Sequence, residues 1–282
     1  MIATIDRTIR LPSGQDVPAL GQGTWFMGDR SGLKAEEINA LRRGIDLGMT
    51  LIDTAEMYGN GAAEALVGAA IHDCRDEVFL VSKALPIHAS REGTIKACEG
   101  SLQRLGTDRI DLYLLHWRGQ VPLAETIEAF EQLVSAGKIR QWGVSNLDTS
   151  DMQELVGASG GNAVQTDQVL YNLSRRGIEF DLLPWCRSRN IPIMAYSPIE
   201  QGRLLAHPAL KAIAKAHNAT SAQIALAWLL RQEGVIAIPK ASRPGHVEEN
   251  RRALDVTLSK DDLAALDQAF PPPSGPTPLE ML

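Results

Sequence analysis

The chain has 282 residues, 44% of them hydrophobic and 22% charged, enough to bury a large core without staples. Its 28 lysines and arginines against 34 aspartates and glutamates leave a formal charge of −6, which argues against the basic stripe of a nucleic-acid protein and against a polybasic membrane anchor. The three cysteines, Cys74, Cys98 and Cys186, form no CxxC pair, so a disulfide scaffold is excluded and a reducing cytoplasm is the expected compartment. Met1 to Asp6 holds no basic segment leading into an apolar run, so no secretory signal is expected. The longest apolar run, Ile224 to Leu230, falls well short of the roughly 20 residues a membrane helix needs. An acidic surface with no obvious apolar patch makes a monomer the expected state.

Taken in chain order, Thr8 to Pro18 reads as a hairpin turning at Ser13-Gly14, and Leu20 to Thr24 as a first core strand. Helix–strand pairs then follow. Helix Lys34 to Leu47 precedes strand Thr50 to Asp53, and helix Gly61 to His72 precedes Val78 to Ser82. Helix Glu92 to Leu105 precedes Asp111 to His116, and Leu123 to Ala136 precedes Ile139 to Ser145. Helix Ser150 to Val156 precedes Ala163 to Gln165, Ile178 to Arg189 precedes Ile191 to Ala195, and Ser221 to Gln232 precedes Val235 to Ile238. Two further helices, Pro244 to Ala253 and Lys260 to Phe270, end the pattern. Gly48 and Gly137 suit left-handed helix stops, Thr220 with Gln223 has capping-box spacing, and Ser259 can cap the last helix, with Asp261 and Asp262 near its positive end.

Short apolar strands in strict alternation with helices are the pattern of buried parallel strands. Eight such units in a chain of this size point to an α/β fold of the (β/α)8 TIM-barrel type, one domain over residues 1–282, with an N-terminal β-hairpin and two extra C-terminal helices. The rival doubly wound sheet should carry a glycine-rich turn after its first strand, and Gly21-Gln-Gly-Thr-Trp-Phe26 lacks the third glycine.

Barrel chemistry collects where strands end. The expected strands finish in Asp53, Lys83, His116, Ser145-Asn146, Tyr196-Ser197 and Lys240, with Gln168 in the segment after the sixth. Tyr58 follows in the loop after the second. A carboxylate keeps a neighbouring lysine charged, and that ammonium is expected to draw the Tyr58 phenol below its usual value of about 10. A phenol so placed can protonate an oxyanion, and a neutral imidazole can orient the same oxygen. The set suits carbonyl reduction by hydride. On the residues alone two other readings stand beside it. One is a Schiff-base lyase with Lys83 as nucleophile, against which Asp53 counts. The other is a cofactor-binding regulatory subunit on the same barrel.

Asp53-Thr-Ala-Glu-Met-Tyr-Gly59, Lys83, Leu115-His116-Trp117, Gly143-Val-Ser-Asn146, Gln168, Tyr196-Ser-Pro198 and Ile238-Pro-Lys240 together resemble the aldo-keto reductase signature over nearly the whole chain, nearest the bacterial branch around diketogluconate reductases. The resemblance implies an NADPH-dependent reductase of aldehydes and ketones, with Asp53, Tyr58, Lys83 and His116 as catalytic tetrad and Tyr58 as general acid. It implies a small-molecule carbonyl substrate bound by Trp25, Tyr58, His116 and Trp117. Cofactor contacts are implied for Gly23, Thr24, Trp25 and Asp53, for Ser145, Asn146 and Gln168 at the carboxamide, and for Tyr196 under the ring. Ser197, Pro198, Ile199, Gln201, Gly202 and Leu204 would wrap the pyrophosphate. Ile238, Pro239, Lys240, Ala241, Ser242, Arg243, His246, Glu249 and Asn250 would take the adenosine end.

The chain departs from that pattern in three places. Asp167 stands where asparagine is common. Ala241 and His246 replace a serine and an arginine that hold a 2′-phosphate, so NADH tolerance is expected alongside NADPH. The loop after His116 and the proline-rich tail Pro271 to Leu282 are short, which suggests an open pocket. Gly157-Ala-Ser-Gly-Gly161 matches GxSxG but follows a helix instead of a strand, so it is a chance spacing. His72 and Cys74 have no second pair to complete a metal site. Glu36-Glu37 and Glu248-Glu249 read as solvated helix faces or first turns, and Phe26 and Met27 as either pocket lining or packing.

Overall fold

The structure is a computed structural model and describes residues 7–282; the expectation for Met1 to Asp6 lies outside the described residues. Strands β1 (Thr8–Arg10) and β2 (Asp16–Pro18) form the antiparallel hairpin. Eight parallel strands follow in sequence order: β3 (Gln22–Gly23), β4 (Leu51–Asp53), β5 (Phe79–Ala84), β6 (Ile110–Leu115), β7 (Ile139–Ser145), β8 (Asp167–Leu170), β9 (Ile193–Tyr196) and β10 (Val235–Ala237). Parallel bridges Leu20–Ala237 and Gly23–Lys240 join the last strand to the first and close the barrel. Glycine is required at that seam, because a Cβ on Gly23 would sit 2.7 Å from the Ile238 carbonyl oxygen.

Strand side chains alternate between the barrel interior and the helix-facing side. Leu51, Phe79, Val81, Leu112, Leu114, Met194, Ile236 and Ile238 form one buried interior cluster, and Leu11 and Val17 of the hairpin plug its lower end. The other phase, including Leu80, Tyr113, Leu115, Val144, Val169 and Ile193, packs outward in the larger cluster shared with the helices. Continuing the inward phase by two residues takes Leu51 to Asp53, Val81 to Lys83, Leu114 to His116 and Met194 to Tyr196. The period that fills the core therefore delivers each polar side chain to the upper mouth.

The helical ring comprises α1 (Lys34–Asp46), α2 (Ala62–Ile71), α3 (Arg91–Leu105), α4 (Leu123–Ser135), α5 (Thr149–Gly157), α6 (Leu182–Arg187), α7 (Pro208–Ala216), α8 (Ser221–Leu230), α9 (Pro244–Arg251) and α10 (Lys260–Ala269). Both expected C-terminal helices are present: α9 packs on α1 and completes the ring, and α10 packs on α7. The capping boxes at Thr220–Gln223 and Ser259–Asp262 are formed. No helix among the described residues is long and apolar enough to cross a membrane.

Two elements differ from the sequence expectations. The sixth barrel strand occupies Asp167–Leu170, whereas Gly161–Ala163 is a 3-10 turn. The short apolar Ala163-Val164 run resembles a strand, but the strand itself continues through polar residues, because its upper half faces a polar rim. Helix α7 has no counterpart among the expected elements. It follows a strand and precedes another helix, so strict alternation leaves no place for it.

Candidate active site

Three strand ends and one loop bring Asp53, Tyr58, Lys83 and His116 together. The Lys83 side chain is 0% exposed and that of Asp53 3%. Lys83 Nζ donates to Asp53 Oδ2 at 2.8 Å, to the Thr54 carbonyl oxygen at 2.8 Å and to Tyr58 Oη at 3.2 Å. An ammonium has three protons, and all are used. Such a group offers no lone pair to a carbonyl, which removes the ground for Lys83 as a Schiff-base nucleophile. Burial pushes the Asp53 carboxyl up and the Lys83 ammonium down, and the contact between them opposes both shifts.

The Tyr58 phenol lies well above its usual value, raised first by burial and then by the Asp53 charge. This reverses the sequence expectation. The Lys83 ammonium alone would pull the phenol down, but Asp53 stands behind it and the site is sparingly solvated. The His116 imidazole is pushed down to about 2 by burial and by the Lys83 charge, so it is neutral at physiological pH, as expected. Its ring meets Tyr58 edge-on at 5.8 Å, and its Nδ1 is buried without a hydrogen-bond partner.

A second polar set adjoins the four. Gln168 Nε2 donates to Asp53 Oδ1 at 2.7 Å, and Ser145 Oγ donates to the Gln168 carbonyl oxygen at 2.7 Å. Asn146 Nδ2 donates to Ser145 Oγ at 3.0 Å and to the His116 carbonyl oxygen at 3.1 Å. Tyr196 Oη donates to Asn146 Oδ1 at 3.0 Å. The network runs unbroken from Tyr196 across the mouth to Tyr58. Its neighbour Asp167 takes the opposite phase of β8, faces the helices, and is buried with neither carboxylate oxygen hydrogen-bonded.

A cavity of about 450 Å³ starts at Trp25, Asp53 and Tyr58, passes Tyr196, Ser197, Pro198 and Gly202, and ends at Lys240, His246, Glu249 and Asn250. Gly23, Thr24, Ile199, Gln201 and Ile238 also line it. Phe26, Ser197 and Gln201 hold positive φ along this rim, the kind of local strain that gathers at functional sites, and Gly202 takes a positive φ without strain. A smaller pocket of about 270 Å³ shares Trp25, Tyr58 and Tyr196 and adds His116, Trp117, Ser145, Asn146 and Gln168. Leu204 is buried in the core, and Leu205 lines the cavity in its stead. Pro239, Ala241, Ser242 and Arg243 belong to the same loop as Lys240 but stand outside the cavity wall.

Sequence reasoning missed several lining residues. Phe26 is 55% exposed, stacks on Trp25 and lines the cavity, whereas Met27 is core. Met57 and the tail residues Met281 and Leu282 wall the small pocket. The tail is anchored by an ion pair from Arg175 to Glu280, so its shortness does not leave the pocket open. No periodicity marks a proline-rich tail, and only its length hints at a return to the mouth. Glu37, expected on a solvated face or in a first turn, does lie in the first turn of α1 but is 2% exposed.

A closed barrel with a buried acid–lysine–tyrosine–histidine cluster at its mouth defines a class, and the aldo/keto reductase family profile matches residues 19–270. The chain belongs to that family of oxidoreductases. Among its relatives, the methylglyoxal reductase YeaE of Escherichia coli is 52% identical over 281 residues, covering 98% of this chain and 99% of that one. A glyoxal reductase of Bacillus subtilis is 34% identical over the full length of both chains. A crystal structure of an aldo/keto reductase from Klebsiella pneumoniae in complex with NADP and acetate is similar at 52% identity and TM-score 0.96, covering 99% of this chain and 100% of that one.

Proposed function

We propose that this protein is an NADPH-dependent reductase of small uncharged aldehydes and ketones, with Tyr58 as the proton donor. The reading rests on one observation above all: each Lys83 proton is committed, and Tyr58 Oη is one of the acceptors. Because Tyr58 accepts from the lysine, its own proton is directed elsewhere, and the ring borders the pocket. The raised phenol keeps that proton at neutral pH. As the proton leaves, the contact from Lys83 strengthens on the developing phenolate.

The residues fit a nicotinamide dinucleotide. One cavity runs from Trp25 and Tyr58 to Lys240, and the His116 ring with the Ser145–Asn146–Gln168 set lines the smaller pocket that shares Trp25, Tyr58 and Tyr196 with it. When bound, the reduced nicotinamide supplies the hydride. Tyr196 would flank its ring and Ser145, Asn146 and Gln168 its carboxamide, with the Ser197 to Gly202 segment along the diphosphate. His116 orients the carbonyl oxygen toward Tyr58.

The substrate walls are Trp25, Met57, Trp117, Met281 and Leu282, with Tyr58 and His116 as the polar groups. Among the described residues no arginine or lysine lines that pocket to receive a carboxylate or phosphate, which favours neutral carbonyls such as methylglyoxal, the substrate in the name of the E. coli relative. The test is NADPH oxidation with methylglyoxal, aromatic aldehydes, keto-sugars and keto acids. Turnover is expected with the neutral compounds, and a preference for the keto acids would refute the substrate class. Tyr58→Phe should lower kcat by at least about a thousandfold, ~4 kcal/mol, and leave NADPH affinity intact; near-normal turnover would end the proton-donor role. With His116 neutral down to about pH 2, kcat/KM should show no inflection near 6.5, and one that disappears in His116→Gln would contradict this.

A further inference from the structure

Beside the loop at the far end of the cleft lies a buried carboxylate, Glu37, that the reaction does not use. Glu37 lies in the first turn of α1. Its Oε2 accepts from the Gly28 peptide N–H at 2.9 Å and its Oε1 from Ser242 Oγ at 3.3 Å. The carboxylate thus joins α1 to the loop before it and to the loop between β10 and α9. The charges of Glu37 and Asp29 also reach Lys240 and oppose the downward push of burial on that ammonium, to which Arg30 adds. Glu36, one residue earlier, faces Arg243 Nε at 3.8 Å. Each cation of this loop therefore already has a carboxylate near it, and His246 adds no guanidinium fork.

In a cleft that binds a nicotinamide dinucleotide, the reading on which this inference rests, the loop meets the adenosine ribose. A 2′-phosphate brings up to two negative charges, whereas a 2′-hydroxyl brings none. We propose that Glu37 is a specificity-determining residue: its buried carboxylate offsets Lys240 and holds the Ser242 hydroxyl, so that the loop distinguishes NADP from NAD only weakly. A carboxylate sheltered from water acts on a nearby phosphate with little screening. A ribose hydroxyl carries no charge for that carboxylate to repel. Glu37 therefore weakens the phosphorylated cofactor selectively.

Glu37→Gln isolates the charge. The amide oxygen can still accept from Gly28 and the amide nitrogen can donate to Ser242 Oγ, so shape and hydrogen bonds survive. Binding of NADP⁺ and NAD⁺ is measured by calorimetry, with no turnover involved. In the wild type NADP⁺ should bind less than about a hundredfold more tightly than NAD⁺; a larger ratio overturns the proposal without any variant. In Glu37→Gln, NADP⁺ should tighten by about threefold to tenfold while NAD⁺ stays within about twofold. The exposed Glu36→Gln should move NADP⁺ in the same direction by about twofold or less. A folded Glu37→Gln with an unchanged ratio, or one in which both cofactors shift together, refutes the role of Glu37. A wild-type chain that binds neither cofactor instead refutes the dinucleotide reading, and the proposal falls with it.

Discussion

At the near end of the cleft, Lys83 has no contact with solvent and its three donors meet three acceptors. At the far end, Arg243 is 69% exposed on its side chain and its nearest carboxylate oxygen is 3.8 Å away. The two ends hold cations of the same sign for different purposes. On the proposed reading the near end fixes one proton in one direction, which requires burial and complete hydrogen bonding. The far end, on the same proposed reading, would take up a solvated, flexible part of a ligand, and long side chains at its edge can do that with balanced charge. Individual residues should therefore matter greatly at one end and little at the other.

The largest expected effect is at Lys83. Lys83→Met leaves Asp53 buried with Gln168 as its remaining side-chain partner, and breaking a buried pair from one side costs about 3–5 kcal/mol of stability. It also removes the cation that receives the developing phenolate, so kcat should fall by a factor on the order of 10²–10³ even where the variant folds. Thermal unfolding and single-turnover kinetics measure the two separately. A variant of wild-type stability would mean that the buried pair contributes nothing to the barrel.

Asp167 sharpens the contrast, being a buried acid on the neighbouring phase of β8 that no cation among the described residues contacts. Burial pushes its carboxyl well up, and the Leu147 peptide N–H, outside hydrogen-bonding geometry, opposes only part of the shift. A carboxyl raised in the folded state binds its proton more tightly there than in the unfolded chain, so its contribution is greatest below the unfolded pKa of about 3.9 and declines as pH rises toward the folded value. Asp167→Asn should therefore stabilise the protein by about 1–3 kcal/mol near neutral pH, with a gain that grows from pH 5 to pH 8. Loss of stability in urea denaturation at pH 8 would show that the carboxylate has a use.

The same contrast explains what the sequence can reveal. Asp53, Lys83 and His116 are legible because each ends an apolar run in the inward phase, where packing gives no reason for a charge. Gln168 is legible as a residue, but its strand begins four residues later than the apolar pattern suggests, because polar residues that serve the rim look like the end of a strand. Helix α7 carries a plain local signal, with Pro208 in its first turn and Leu210, Ile213 and Ala214 on one buried face, and only the expectation of strict alternation hides it; the return of the tail depends on contacts between distant segments, which local periodicity does not record. The direction of the Tyr58 shift needs the depth of the site and the position of Asp53 behind the lysine. Glu37 is invisible for a related reason: one acidic residue in a first helical turn looks like any other until Gly28 and Ser242 are seen to close over it.

The smallest effect is expected at the edge of the far end, in Arg243→Ala. The guanidinium is mostly solvated and shares its charge with Glu36, so an exposed contact there should contribute about 1 kcal/mol or less. NADP⁺ affinity should fall by less than about fivefold at physiological salt, and the difference should shrink further as salt is raised over a Debye length of ~8 Å. NAD⁺ affinity should not change. A loss of a hundredfold would place Arg243 in a bidentate, desolvated contact with the ligand, and the far end would then rest on one dominant side chain, as the near end does, instead of on several weak ones.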